Sequence, residues 1–103
     1  MTTYRMDRPA PGPSPRLARL TRHLAARLED FGPGGPQVVL CDQGRGLVAA
    51  RFPGRDAAFV VAGLQQFGFF PAREGELIRF YLAPDCPFEA LDALWGCLFS
   101  LLE

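Results

Sequence analysis

The sequence predicts an α+β fold, a two-layer sandwich in which the helices pack on one face of a mostly antiparallel sheet. Apolar residues recur at helical spacing in three segments, and four short apolar runs are bounded by Gly, Pro or Asp. The runs come in pairs joined by short turns, so the predicted order is α-ββ-α-ββ-α. With 103 residues, 49% of them apolar, the chain suits a single domain with one core.

The first helix is predicted to follow a flexible arm. Residues 1–13 contain three prolines and show no apolar periodicity, so the folded domain is assigned to residues 14–103. Ser14 is suited to cap a helix that has Pro15 at its first position. The Gly/Pro stretch 32–36 ends this helix. Its apolar stripe consists of Leu17, Leu20, Leu24, Leu28 and Phe31.

Two hairpins and two further helices complete the predicted domain. The turn of the first hairpin contains glycines, as expected where the backbone takes a positive φ. Gly68 ends the second helix, and prolines precede the third. Strands are predicted at 37–41, 47–52, 69–73 and 76–82, and helices at 56–67 and 88–102.

Composition excludes several classes of function. Eleven basic and eleven acidic side chains cancel, so we expect neither a nucleic-acid partner nor a charged membrane partner. The sequence contains no apolar run of membrane-spanning length and no signal-peptide pattern, which predicts a cytoplasmic protein. All eleven basic residues are arginine, which rules out chemistry that needs a lysine amine.

The sequence predicts no catalytic residue and no metal site. His23 has no partner at triad or ligand spacing, and a solvated helix face is its expected environment. The two serines, Ser14 and Ser100, lie outside any nucleophile motif. Three cysteines without C-x-x-C spacing and a single histidine do not form a typical metal-ligand set.

The last helix carries apolar residues around most of its circumference. At 100° per residue, Trp95, Phe99 and Leu102 cannot all face one sheet. We therefore expect these three residues to form an interface, either with a second copy in a homo-oligomer or with another protein. The alternative is that the first helix of the same chain covers the extra apolar surface.

Arg79 is the candidate ligand-binding residue. Alternation along its strand places it on the face opposite Ile78 and Phe80. A guanidinium held on a sheet suits a small carboxylate ligand, because it donates two parallel hydrogen bonds. The alternative is an arginine that faces water or pairs with Glu74 or Glu76.

The order of these motifs resembles a known family. The motifs are VAARFPG at 48–54, LQQFGF at 64–69, REG at 73–75, IRFYLAP at 78–84 and FEALD at 88–92. Over roughly residues 15–103 the chain is similar to the C-terminal small domain of fold-type I pyridoxal-phosphate enzymes, the aminotransferase superfamily. The resemblance implies that Arg79 matches the arginine that binds the substrate α-carboxylate. In that family, the cofactor lysine and the phosphate-binding loop belong to a large domain that this sequence lacks.

The resemblance leads to three expectations about function. The first is a stand-alone small domain, non-catalytic by itself, that acts as an interaction or binding module. The second is a subunit of a split aminotransferase that supplies the carboxylate-binding arginine, with pyridoxal phosphate bound only if a partner chain supplies the large domain. The third is a ferredoxin-like regulatory domain for small molecules, which the chain length favours and the order ββαββα after the first helix disfavours.

Overall fold

The computed structural model describes residues 2–103 and contains three helices and five strands. From the first helix to the last, their order is α-ββ-α-ββ-α, which confirms the predicted order and the α+β class. The elements are β1 (Tyr4–Met6), α1 (Pro15–Glu29), β2 (Gln37–Asp42), β3 (Leu47–Arg51), α2 (Ala57–Gln66), β4 (Phe69–Glu74), β5 (Leu77–Tyr81) and α3 (Phe88–Leu102).

The strands form one sheet with the order β1-β4-β5-β3-β2, so β5 lies at its centre. Strand β1 runs parallel to β4, and every other neighbouring pair is antiparallel. It follows that β1 and β2 lie at opposite edges and run in opposite directions. In a ferredoxin-like fold, the two strands joined by the first helix would instead run parallel, with one other strand between them. The sheet order therefore does not support the ferredoxin-like alternative.

The prediction of a flexible arm over residues 1–13 does not hold for Tyr4–Met6, which form β1. Tyr4 pairs with Phe69, and their rings stack with centroids 5.3 Å apart. Met6 pairs with Pro71 and is only 2% exposed. A strand of three residues is too short to show a period of two, so the sequence pattern did not reveal it. Met1 lies outside the described residues.

All three helices pack on one face of the sheet, around a core of fully buried aliphatic and aromatic side chains. Helix α1 begins as predicted, because the Ser14 Oγ accepts a hydrogen bond from the Leu17 amide at 3.1 Å. No helix within residues 2–103 is both long and apolar enough to cross a membrane. The core includes Leu17, Leu20, Leu24 and Leu28 of α1, Val60 and Leu64 of α2, Leu91, Leu94 and Leu98 of α3, and Val48, Ala50, Ile78 and Phe80 of the sheet.

The turn between β2 and β3 closes against α1. The Asp42 carboxylate accepts hydrogen bonds from the backbone and side chain of Arg45 and from the Gly44 amide, which lower the pKa of Asp42. Gly46 has a φ of 66°, and a Cβ there would lie 2.7 Å from the Leu17 Cδ1. The backbone conformation and the close approach of α1 therefore both require glycine at this position.

We expect Gly46→Ala to lower the free energy of unfolding by about 1–3 kcal/mol, because the new methyl group strains the backbone and overlaps Leu17. Gly44→Ala is the matched control in the same turn, since its Cβ would meet only the Asp42 Oδ1 at 3.6 Å. The control should change stability by no more than about 0.5 kcal/mol. Urea unfolding measures both changes, and equal losses in the two variants would contradict this account.

Candidate functional site

Arg79 lies at the middle of the central strand, on the face of the sheet that the helices leave free. Its neighbours Ile78 and Phe80 are fully buried against the helices, whereas Arg79 is only partly buried. Directly opposite Arg79 on the two adjacent strands are Ala49 and Ala72. Both neighbours are short, and Ala49 is only 1% exposed, so it is covered on this face although no helix packs there.

The Arg79 guanidinium already has one internal partner. Its Nη2 donates a hydrogen bond of 2.7 Å to the Glu74 Oε1. The two side chains are 34% and 71% exposed, so water competes for this ion pair. Of the two glutamates that the sequence offered as partners, the structure places Glu74 beside Arg79. A guanidinium has five N–H donors, so most of its donor capacity remains for a second carboxylate.

Arg51 is a second basic residue on the same face and was not among the predicted site residues. It pairs with Leu77 across β3 and β5, and Arg79 is two residues further along β5. Alternation along β3 could have revealed it, since Val48 and Ala50 face the core. Arg51 borders an open depression of about 720 Å³ at this end of the sheet. The depression is lined by Gln37, Arg51, Phe52, Pro53, Gly54, Arg55, Glu74, Glu76 and Leu77.

The three residues predicted as an interface lie on or beside an aromatic cluster, which we define as Phe31, Trp95 and Phe99. The Trp95 ring centroid is 5.4 Å from that of Phe31 and 5.4 Å from that of Phe99. The Arg27 guanidinium lies 4.3 Å from the Trp95 ring centroid. Trp95 and Leu102 are half-buried, whereas Phe99 is 49% exposed. Residues of α1 and the segment after it thus cover part of the apolar surface, and Phe99 stays accessible.

Arg79 and the aromatic cluster do not form one site, because α3 packs on the helical face of the sheet and Arg79 lies on the other. His23, predicted on a solvated helix face, has a side chain that is 34% exposed and one polar partner. Its Nε2 lies 3.0 Å from the Asp92 Oδ1, which links α1 to α3. The Arg27 Nε is 3.4 Å from the same oxygen. These contacts explain His23 as part of the seam between two helices.

The thiols and carboxylates offer little other chemistry. Burial raises the pKa of Cys41, Cys86 and Cys97, so the thiolate form that acts as a nucleophile is disfavoured near neutral pH. Within residues 2–103, no group of three or more His, Cys, Asp or Glu residues is placed to hold a metal ion. Arg79 and its surroundings are therefore the main candidate for ligand binding.

The fold and this site can be compared with known proteins. No family model and no curated protein matches the chain. Among solved structures, a lysine aminotransferase from M. tuberculosis superposes with a TM-score of 0.65 and 25% identity, covering 82% of this chain and 20% of that enzyme. A serine palmitoyltransferase from Sphingomonas wittichii has a TM-score of 0.66 and 20% identity, with coverages of 84% and 23%. The chain resembles the small domain of fold-type I pyridoxal-phosphate enzymes. This confirms the resemblance found in the sequence motifs.

A thermostable omega transaminase variant from Pseudomonas jessenii gives the same result at 13% identity, with a TM-score of 0.66 and coverages of 84% and 22%. In each of these comparisons the chain spans about a fifth of the length of the enzyme. The similarity therefore concerns a small-domain fold.

The residues of this chain do not fit pyridoxal phosphate as a resident cofactor. Fold-type I enzymes hold it through a Schiff base to a lysine amine, and the sequence contains no lysine. The uncovered face around Arg79 presents guanidinium and carboxylate groups, the phenol of Tyr81 and apolar side chains, and none of these is an amine. No reaction step through this cofactor is assigned to the chain.

Proposed function

We propose that the protein is a stand-alone, aminotransferase-derived small domain that is non-catalytic by itself and binds a small carboxylate at Arg79. One observation carries the proposal. The Arg79 guanidinium lies on a helix-free sheet face between two alanines, and its internal partner is the exposed Glu74. Carboxylate binding is the chemistry that this arrangement supports best.

Binding would proceed as an exchange of carboxylates. An incoming ligand displaces the Glu74 Oε1 from the Arg79 Nη2 and accepts two parallel N–H donors. The central strand fixes the Arg79 backbone, so only the side-chain rotamers have to be ordered when a ligand binds. Arg51 on the same face adds positive charge near the ligand. Glu74 then acts as a competitor that sets the affinity.

We expect Arg79→Ala to weaken the binding of small carboxylates by about 1.5–3 kcal/mol, the range for hydrogen bonds to charged groups. Arg79→Lys should restore little of the loss, because an ammonium cannot form the bidentate pair. Glu74→Gln should strengthen binding, because it removes the internal competitor. Calorimetric titration with amino acids, keto acids and dicarboxylates measures all three effects.

Arg73→Ala is the matched control for this titration. Arg73 is an exposed arginine of the same hairpin whose Nη1 donates to the Gly75 carbonyl. Its removal should leave the dissociation constant unchanged. Absence of any binding by the wild-type protein, or an equal loss in Arg73→Ala and Arg79→Ala, would refute the proposed site.

A second function is favoured by the apolar character of the same face. Phe70, Leu77 and Tyr81 are half-buried there, although no helix packs on them. The chain also spans about a fifth of the length of the enzymes it resembles. We therefore propose as an alternative that a partner chain, carrying a large domain with lysine and pyridoxal phosphate, covers this face. Arg79 would then bind the substrate carboxylate of a split aminotransferase.

The split-enzyme alternative predicts that transaminase activity requires both chains. A neighbouring reading frame that encodes a large domain without a small domain is the partner to co-express. In the reconstituted complex, Arg79→Ala should raise the KM for the amino acid substrate at least tenfold. Full activity of the partner chain without this protein would exclude the alternative.

For the aromatic cluster we propose contact with another protein through Phe99. Phe99→Glu should then abolish partner recovery from the native host, because the charge cannot be desolvated in an apolar contact. Phe59→Glu is the matched control, since Phe59 is 57% exposed on α2. Circular dichroism checks that both variants fold. Recovery of the same chains with wild type and Phe99→Glu would argue against the contact.

A further inference from the structure

The helix-free face of the sheet carries its side chains in three rows that cross the strands. The middle row, which contains the candidate ligand-binding residue, consists of Leu40, Ala49, Arg79 and Ala72. One flanking row, which we call the polar row, consists of Gln37, Arg51, Leu77 and Glu74. The other, which we call the apolar row, consists of Leu47, Tyr81 and Phe70. Phe70 belongs to it because the register that pairs Ala72 with Arg79 brings Phe70 level with Tyr81.

The polar row is unsuited to an apolar substituent of a ligand. Arg51, Glu74 and Glu76 line the open depression beside it. An apolar group placed there would take water away from charged side chains, which costs free energy. A second carboxylate of a ligand would be attracted by Arg51 but would also meet two glutamates of like charge. This side of Arg79 therefore favours neither an apolar tail nor a dicarboxylate.

The apolar row provides a different surface beside the guanidinium. Tyr81 is two residues from Arg79 along β5 and lies directly opposite Leu47. Leu47 is only 2% exposed and Ala49 only 1%, so the floor next to Arg79 is closed to water although the helices pack on the other face. Tyr81 and Phe70 are half-buried, which leaves part of each ring accessible. An apolar group that reaches this row meets aromatic surface.

The charged residues at the two ends of the apolar row are engaged within the chain. At the β4 end, the Arg5 guanidinium lies 5.1 Å from the Phe70 ring centroid, and its Nη2 is 2.8 Å from the Asp7 Oδ2. At the β2 end, the Asp42 Oδ2 accepts a hydrogen bond of 3.0 Å from the Arg45 Nε. These contacts hold Phe70 at the edge of the row and compensate the charges around it.

We propose that the ligand of Arg79 is a monocarboxylate with a flat apolar substituent, such as an arylacetate, whose ring packs on Tyr81 and Phe70. This inference rests on the proposed carboxylate site and adds the chemical class of the ligand. The carboxylate pairs with the guanidinium, while the substituent removes apolar surface from water. Aromatic rings add offset or edge-to-face contacts with one another. Tyr81 is then the residue that determines specificity.

The ligand class is tested by comparing acetate with phenylacetate, two acids that share the carboxylate and differ in the ring. The full chain is titrated with each acid, and the dissociation constants are measured from the NMR amide signals of β5. Phenylacetate should bind about tenfold more tightly, since a ring that buries roughly 55 Å² of apolar surface gains about this factor. Added NaCl should weaken the binding of both acids but leave the ratio of the two dissociation constants unchanged, because salt screens only the charged group.

Variants locate the ring of the ligand on the protein. Tyr81→Ser should bring the ratio of the two dissociation constants close to one, whereas Tyr81→Phe should keep it. Leu77→Ser is the matched control on the polar row, and Phe59→Ser removes an exposed ring from α2, so neither should change the ratio. Circular dichroism checks that the variants fold. In wild type, a nuclear Overhauser effect between the phenylacetate ring and the Tyr81 ring keeps the inference testable if Tyr81→Ser does not fold.

Equal affinities of the wild-type protein for acetate and phenylacetate would overturn the inference. So would loss of the preference in Leu77→Ser, phenylacetate binding that survives in Arg79→Ala, or a larger gain in affinity for succinate than for phenylacetate. Acetate binding that is lost in Arg79→Ala would still support the proposed carboxylate site when the acids bind equally. Binding of neither acid would refute the site and the ligand class together. Failure of the inference and failure of the proposed function are therefore distinguishable.

Discussion

The alternation of side chains along the central strand β5 is the constraint on which the rest of the structure depends. Ile78 and Phe80 are fully buried and provide the surface on which the helices pack. The same alternation forces Arg79 onto the opposite face, where no helix covers it. A register slip of one residue would bury the guanidinium and expose Phe80, at a cost that the domain could not sustain. Core and candidate site are thus fixed by one strand.

Elements with a long, regular pattern were predictable from the sequence within about two residues. For α2 the signals were the helical spacing of its apolar residues and Gly68, which has a φ of 91°. The structure adds an N-cap, in which the Asp56 side chain accepts from the Ala58 amide at 3.0 Å. Strand β1 was not predictable, because its pairing with β4 joins segments more than sixty residues apart in the chain. The sequence could not decide which glutamate pairs with Arg79 either, because that depends on the register of the hairpin formed by β4 and β5. Glu74 pairs across the hairpin with Leu77, on the face that carries Arg79.

The breadth of the apolar surface on α3 has several causes, which the sequence could not separate. Leu91, Leu94 and Leu98 fill the core under the sheet. Leu101 packs so closely on α2 that a Cβ at Gly63 would lie 2.5 Å from its Cδ2. Phe31 and Arg27 then cover much of Trp95. Most of the wide arc is therefore explained by contacts within the chain, and Phe99 is the part that they leave exposed.

The strength of binding at Arg79 depends on what covers the sheet. A partly exposed guanidinium that exchanges Glu74 for a ligand carboxylate replaces one screened ion pair with another, so the net gain in free energy comes mainly from the second hydrogen bond of the bidentate pair. A second polypeptide over the same face would exclude water and strengthen each hydrogen bond to the guanidinium. It would also bury Phe70 and Tyr81, which the chain by itself leaves half-buried. Weak, salt-sensitive binding is therefore the property of the isolated module, and tight binding requires a covering partner.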